Sequence, residues 1–184
     1  MAPTALASGG GGVAPPTSTN ASGGSGIAAP PSAPSTPAHP SVAGFAAKII
    51  RGVAYAPSYA PPAVQRAIWA GNQIRTKPYI WGGGHAAFIA AGYDCSGSVS
   101  FVLHAAGLLP TPFDSSDFMG WGTSGVGRWI TVYTNPGHAF VQIAGIRFDT
   151  SAEGDPHPSG GSGPRWRVTM RSTGGFLARH PIGF

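Results

Sequence analysis

Charge is scarce in this chain. Only 9% of its 184 residues are Asp, Glu, Lys or Arg, and none of these falls in the first 40 positions, which also lack Phe, Trp and Tyr. That opening stretch is almost entirely Ala, Pro, Gly, Ser and Thr. It has no apolar period with which to offset the entropy of ordering, so residues 1–41 read as a disordered arm. No apolar run approaches the ~20 residues of a membrane span, which excludes a spanning helix. No Lys or Arg precedes an apolar core at the start, and "GGGG" interrupts where that core would lie, so no clear secretory signal is present. Export is therefore not shown by this sequence; a misplaced start codon or another route would be needed for it. Cysteine occurs once, at Cys95, which excludes an internal disulfide. Acidic residues are outnumbered 6 to 11, and the net charge of +5 favours polyanions such as wall polymers, lipid headgroups or nucleic acid. The basic residues are scattered and form no basic helix or aromatic-interleaved motif, so nucleic acid is not an expected partner.

What is abundant is punctuation, with 29 Gly and 19 Pro. Between Val42 and Tyr55 the spacing of Phe45, Ile49 and Val53 predicts a short helix, so residues 42–62 read as a linker with a short helix. Pro57, Pro61 and Pro62 break the chain, and Pro62 suits the first turn of a second helix. Along that helix Val64, Ile68 and Trp69 recur at helical spacing, and it should stop before Pro78. "YIWGGGH" then reads as a glycine loop with Tyr79 and Trp81 as core anchors. Residues 63–184 form the folded domain.

The lone thiol sits in "GYDCSGSVSFVLHAAG". Val99, Val102, Leu103 and Ala106 mark an apolar helical face, Gly107 suits the C-terminal end, and Asp94, Ser96 and Gly97 are typical of a helix start. Cys95 therefore falls in the first turn, where free N–H groups and the helix dipole stabilise a thiolate. It is either an activated nucleophile or a small buried core residue, the commoner fate of a single cysteine.

A nucleophilic thiol needs a base. His39 lies in the arm, His104 lies nine residues along the same helix, His157 sits in a loop, His180 is near the end and His85 follows the glycines. His138 differs, because it opens a strand, "HAFVQIAGIRFDTS". Alternation puts His138, Phe140 and Gln142 on one face and Ala139, Val141 and Ile143 on the other. "GRWITVY" reads as the strand before it. The class is α+β, with a nucleophile helix packed on an antiparallel sheet that carries the histidine, the papain-like arrangement.

"YIWGGG", "YDCSGSV" and "GHAFVQIAGIRFDTS", in that order, resemble the NlpC/P60 family of bacterial cell-wall cysteine peptidases. The resemblance spans residues 63–151. It implies that Cys95 is the nucleophile and His138 the base. It further implies that Tyr79 lines the site and stabilises the oxyanion, and that Asp94 and Ser96 contact the stem peptide, the acid meeting a free amine. The implied reaction is hydrolysis of amide bonds in peptidoglycan stem peptides, most often between D-glutamate and a diamino acid, by a secreted or wall-associated monomer without metal or organic cofactor. The other readings are an amidase cutting between sugar and peptide, a phage lysin of the same fold, and a non-catalytic wall-binding module. Retention of Cys95 and His138 counts against the last.

The chain departs from the family where a polar residue, often His, orients the base one strand later. "RFDTS" offers Asp149 or Thr150 there. Paired residues in an antiparallel ladder share a face. A two-residue turn on Gly145–Ile146 is favoured by Gly at its first position, and it puts Asp149 on the face of His138. A turn on Ala144–Gly145 gives the same answer, whereas a three-residue loop selects Thr150. Asp is also the stronger acceptor for an imidazolium, so Asp149 is the expected third member. The Gly- and Ser-rich segment after the Cys95 helix is either a wall of the substrate groove or a surface loop. Asp155 and His157 are too few to suggest a metal.

Overall fold

The computed structural model describes residues 39–156 and 162–184; the expected arm over residues 1–38 lies outside the described residues. From residue 39 onward the chain first forms three strands, β1 (Ser41–Val42), β2 (Lys48–Ile50) and β3 (Val53–Pro57). The short helix expected between Val42 and Tyr55 is therefore absent, and the supposed arm ends earlier than residue 41. The reason is the dipeptide Arg51–Gly52, where both residues take positive φ (50° and 76°). That is the conformation of a two-residue hairpin turn, and it pairs Ile50 with Val53 and Ile49 with Ala54. β1 adds alongside β3 in parallel. Ala54 and Ala56 of β3 are fully buried.

Helix α1 (Pro62–Ile74) begins on a proline, as the sequence predicts, and ends before Pro78. Val64, Ala67, Ile68 and Ile74 form its buried side. Its Asn72 ties it to β3: the side chain accepts from the Ala54 N–H at 2.9 Å and donates to the Ala54 carbonyl at 2.8 Å. Helix α2 (Cys95–Ala105) packs between α1 and the main sheet, burying Val99, Val102 and Leu103. Gly107, just past its end, takes the left-handed conformation expected there (φ 79°). Truncating a fully buried leucine such as Leu103 costs about 2–5 kcal/mol.

The remaining elements are α3 (Ser115–Met119), β4 (Thr123–Ser124), β5 (Ile130–Asn135), β6 (His138–Ile143), β7 (Ile146–Asp149), β8 (Arg165–Arg167) and β9 (Leu177–His180). The six strands form one sheet in the order β4-β9-β5-β6-β7-β8, antiparallel at every pairing. The alternation read along β6 sorts as expected. Ala139, Val141 and Ile143 join the core shared with α1 and α2. Phe140, equally buried, stacks on Tyr133 (5.0 Å between ring centres) and meets Phe176 edge-on at 5.2 Å. The class is α+β, with the cysteine at the N-terminus of a helix packed on the antiparallel sheet that carries His138.

Candidate active site

The start of α2 is built by Asp94. Its Oδ1 accepts the Gly97 N–H at 2.7 Å, capping the helix, and its Oδ2 accepts the Gly82 N–H at 3.0 Å. The second bond docks the glycine turn of "YIWGGGH" against the helix. Contact is close enough to require glycine at 97: a Cβ there would lie 2.0 Å from the Gly83 carbonyl oxygen. The Asp-Cys-Ser-Gly run thus carries its own structural reason. Asp94 caps, Gly97 admits the turn, and Cys95 is left in the first turn, mostly buried beside the sheet.

His138, at the start of β6, faces Cys95 closely enough for each to shift the other's pKa. The other side of the imidazole is held by Asp149, whose Oδ1 lies 2.9 Å from Nε2. Nε2 being engaged there, Nδ1 is the nitrogen left for the thiol. Asp149 is almost fully buried, and the same Oδ1 accepts the Ser151 N–H at 2.8 Å. Burial alone would push the His138 pKa down, but the bonds to Asp149 and Cys95 and their charges outweigh it and raise it to about 9. Burial pushes the Cys95 thiol up, yet its bonds from His138 and the Ala139 backbone, with the nearby imidazolium charge, bring it below the usual thiol range. The two shifts run in the directions that favour a thiolate beside an imidazolium.

The β6–β7 turn differs from the favoured one. Ile143 pairs with Ile146, so the turn falls on Ala144–Gly145, both at positive φ (48° and 91°). Two interactions select it. Ile146 is buried in the core and so belongs in the strand rather than the loop. Ala144 donates its N–H to the Trp129 carbonyl (2.8 Å) and accepts from the Ala47 N–H (2.9 Å). Both two-residue registers put residue 149 on the face of residue 138, so the sequence argument reaches Asp149 through its second alternative.

A cleft of about 210 Å³ opens beside the thiol, lined by Trp81, His85, Asp94, Cys95, Ser96, Ser115 and neighbouring residues. The segment after α2 supplies one wall through Asp114, Ser115 and Ser116. Ser115 is fixed there by donating to the Pro136 carbonyl at 3.1 Å. Trp81 is not a core anchor: it is 86% exposed at the cleft. Tyr79 is half-buried; burial first, then the charges of Cys95 and Asp94, push its phenol up, so it stays a hydrogen-bond donor near the thiol. A larger hollow of about 320 Å³, bounded by Phe45, Trp129 and Ala144, contains no nucleophile.

His85 is the site residue that sequence reasoning passed over. Its Nε2 lies 3.0 Å from Asp94 Oδ1 and 3.2 Å from Ser96 Oγ, so it bridges the two residues flanking the thiol. The signal was its place directly after the glycines, which fold it back onto the helix start. His104 instead bonds the Leu109 carbonyl (2.9 Å) and stacks on Phe88 (3.7 Å), and His39 stacks on Trp69 (4.2 Å). Asp155 is engaged by Arg147, Arg167 and Thr169, while His157 lies outside the described residues.

No protein-family model and no curated protein matches this chain. Among solved structures it is similar to the peptidoglycan hydrolase RipB from Mycobacterium tuberculosis, at 19% identity and a TM-score of 0.48, over 69% of this chain and 71% of that one. It is also similar to an NlpC/P60 family protein from Bacillus cereus, again at 19% identity and TM-score 0.48. That match covers 67% of this chain and 41% of the other.

Proposed function

We propose that the protein is a cysteine peptidase that hydrolyses amide bonds in peptidoglycan stem peptides, through Cys95, His138 and Asp149. The observation that carries the chemistry is the connected set of thiol, imidazole and carboxylate at the N-terminus of α2, with Asp149 2.9 Å from His138 Nε2. The substrate class comes from the resemblance of the three motifs to NlpC/P60 peptidases, whose usual bond joins D-glutamate to a diamino acid.

The thiolate of Cys95 attacks the amide carbonyl carbon, and the carbonyl electrons move onto oxygen. The first two amides of α2, which have no intrahelical acceptor, and the Tyr79 hydroxyl are the donors for that oxyanion. His138 then gives its Nδ1 proton to the leaving amine as the C–N bond breaks, leaving a thioester. Water, deprotonated by His138, attacks the thioester, releasing the acid and restoring the thiolate–imidazolium pair. Asp149 keeps the imidazole oriented throughout. Asp94 and Ser96 line the cleft, as contacts to the stem peptide require. Asp94 Oδ1 accepts from Gly97 and contacts His85, and Oδ2 accepts from Gly82, so a substrate amine would add to a carboxylate whose two oxygens already hold one backbone N–H each. None of these steps calls on a metal or organic cofactor.

The test is digestion of purified peptidoglycan followed by mass spectrometry of the released fragments. Free γ-D-glutamyl and diamino-acid termini are expected, and fragments cut between sugar and peptide would instead indicate an amidase. Cys95→Ala should release nothing while melting like the parent protein. Undiminished hydrolysis by that variant would end the cysteine-peptidase reading.

A further inference from the structure

Behind Asp149 stands a group of charges that the three-residue site does not use. Oδ1 is committed to His138 and Ser151; Oδ2 has no hydrogen-bond partner. Instead it faces two guanidinium groups, Arg147 Nε at 3.5 Å and Arg171 Nη1 at 3.6 Å. These cations are fixed by other contacts. Arg147, completely buried, donates to Asp155 at 3.0 Å. Arg171 pairs with Glu153 and lies over the rings of Phe140 (5.4 Å) and Phe176 (5.2 Å). Phe176 in turn meets the His138 ring edge-on at 6.2 Å. Arg167 donates to the Asp149 carbonyl at 3.4 Å and pairs with Asp155. Two guanidinium groups therefore oppose the oxygen that faces away from the imidazole.

We propose that Arg171, together with Arg147, is a positioning residue that fixes the Asp149 carboxylate and limits how tightly it holds the His138 proton. The proposal rests on the cysteine-peptidase reading above. A buried carboxylate next to an imidazolium and unopposed by other cations would retain the proton strongly. His138 must surrender that proton to the leaving amine, so an over-stabilised imidazolium is a poor acid. Cations on the far oxygen weaken the pull without breaking the Oδ1 bond. Arg147 does this from within β7, and Arg171 does it from the segment joining β8 to β9, so the segment is coupled to catalysis through charge. The charged and titratable groups around the Asp149–His138 pair are Cys95 from α2, Arg147 from β7, Arg167 from β8 and Arg171. Glu153 and Asp155 neutralise the arginines, and Tyr79 and Asp94 stand on the thiol side.

The experiment follows the rate of Cys95 alkylation by iodoacetamide against pH, alongside kcat and KM on a soluble muropeptide. Alkylation should show an alkaline step where the imidazolium loses its proton. Arg171→Met keeps the packing on Phe140 and Phe176 but removes the charge. It should move the alkaline step upward by about one pH unit and lower kcat about tenfold with KM changed less than about twofold. Arg171→Lys should restore most of the wild-type profile. Glu153→Gln alters a largely exposed side chain and so is expected to fold; it frees Arg171 to act more fully on Asp149 and should move the step downward. Should Arg171→Met fail to fold, Glu153→Gln decides alone. A step left in place, or moved upward by Glu153→Gln, overturns the proposal. The underlying reading fails separately, through a Cys95→Ala variant that still digests the wall.

Discussion

Removing the Asp149 carboxylate should sharply weaken the proposed hydrolysis. The bonds and charges of Asp149 and Cys95 outweigh burial and raise the His138 imidazolium from 6.5 to about 9. Asp149 makes the largest of these favourable interactions and Cys95 the next, and a hydrogen bond to a charged group is worth about 1.5–3 kcal/mol, up to roughly 150-fold. Asp149→Ala should therefore lower kcat on a soluble muropeptide about 100-fold. Asp149→Asn keeps an acceptor for Nε2 without the charge and should lose about tenfold. Thr150→Ala, one residue on, should stay within about twofold. The stability effect has a definite sign. A histidine whose folded pKa is raised stabilises the fold fully below its unfolded value of 6.5, and that contribution is lost as pH rises through about 9. The part of the melting difference between wild type and Asp149→Asn that comes from His138 should be largest at pH 6 and vanish by about pH 10. Stopped-assay kinetics and melting across that range supply both readouts. Wild-type activity in Asp149→Ala, or a greater loss in Thr150→Ala, would refute the assignment.

Iodoacetamide should label Cys95 in the native protein at pH 6, where a thiol of ordinary pKa near ~8.5 reacts slowly; His138→Ala should slow the labelling, and an unreactive native thiol would point to a core role. Gly97→Ala places a methyl about where the Gly83 carbonyl now sits, so it should cost about 2–3 kcal/mol or more by melting and should lower activity through the displaced glycine turn; a neutral substitution would show that the turn is not docked there. Truncation before His39 and truncation through Val42 should differ, because the Pro40 carbonyl accepts from the Ala56 N–H and from Trp69 Nε1, each at 3.0 Å. The longer truncation leaves both donors unpaired and should melt roughly 5–10 °C lower than the shorter one; equal melting would mean that β1 contributes nothing.

The parts of the site legible in the sequence are those set by short-range rules. Asp94 followed by an apolar helical face announces α2, and alternation along residues 138–143 announces β6, so the two elements that present Cys95 and His138 could be read directly. Asp149 was legible because any two-residue turn fixes the parity of the ladder, whichever residues occupy it. The strands before α1 were misread because Phe45, Ile49 and Val53 also fit a helical spacing. The turn signal at Arg51–Gly52, decisive in the structure, competes with that pattern over only a few residues. His85 was missed for another reason: its role depends on the glycine turn closing onto α2, a tertiary event that no local pattern records. The arginines behind Asp149 were illegible on the same ground, since residues 147, 167 and 171 come together only when β7, β8 and the following segment are assembled.

The scarcity of acids, first seen as a compositional oddity, acquires meaning from their placement. Of the six, Asp94 caps α2 beside the thiol, and Asp114 with Asp117 forms the reciprocal cap of α3 on the cleft wall. Asp149, Glu153 and Asp155 hold the arginines behind His138. Every acidic side chain thus either shapes the cleft or sets the charge around the histidine, and the excess of positive charge belongs to the rest of the molecule. On the proposed function the chain approaches an anionic polymer and gains from a basic exterior, whereas a thiolate–imidazolium pair would need its own field fixed locally. Concentrating the few acids within or behind the site separates these two electrostatic tasks, so that surface charge can change with little effect on the ion pair because exposed charges beyond about a Debye length are screened.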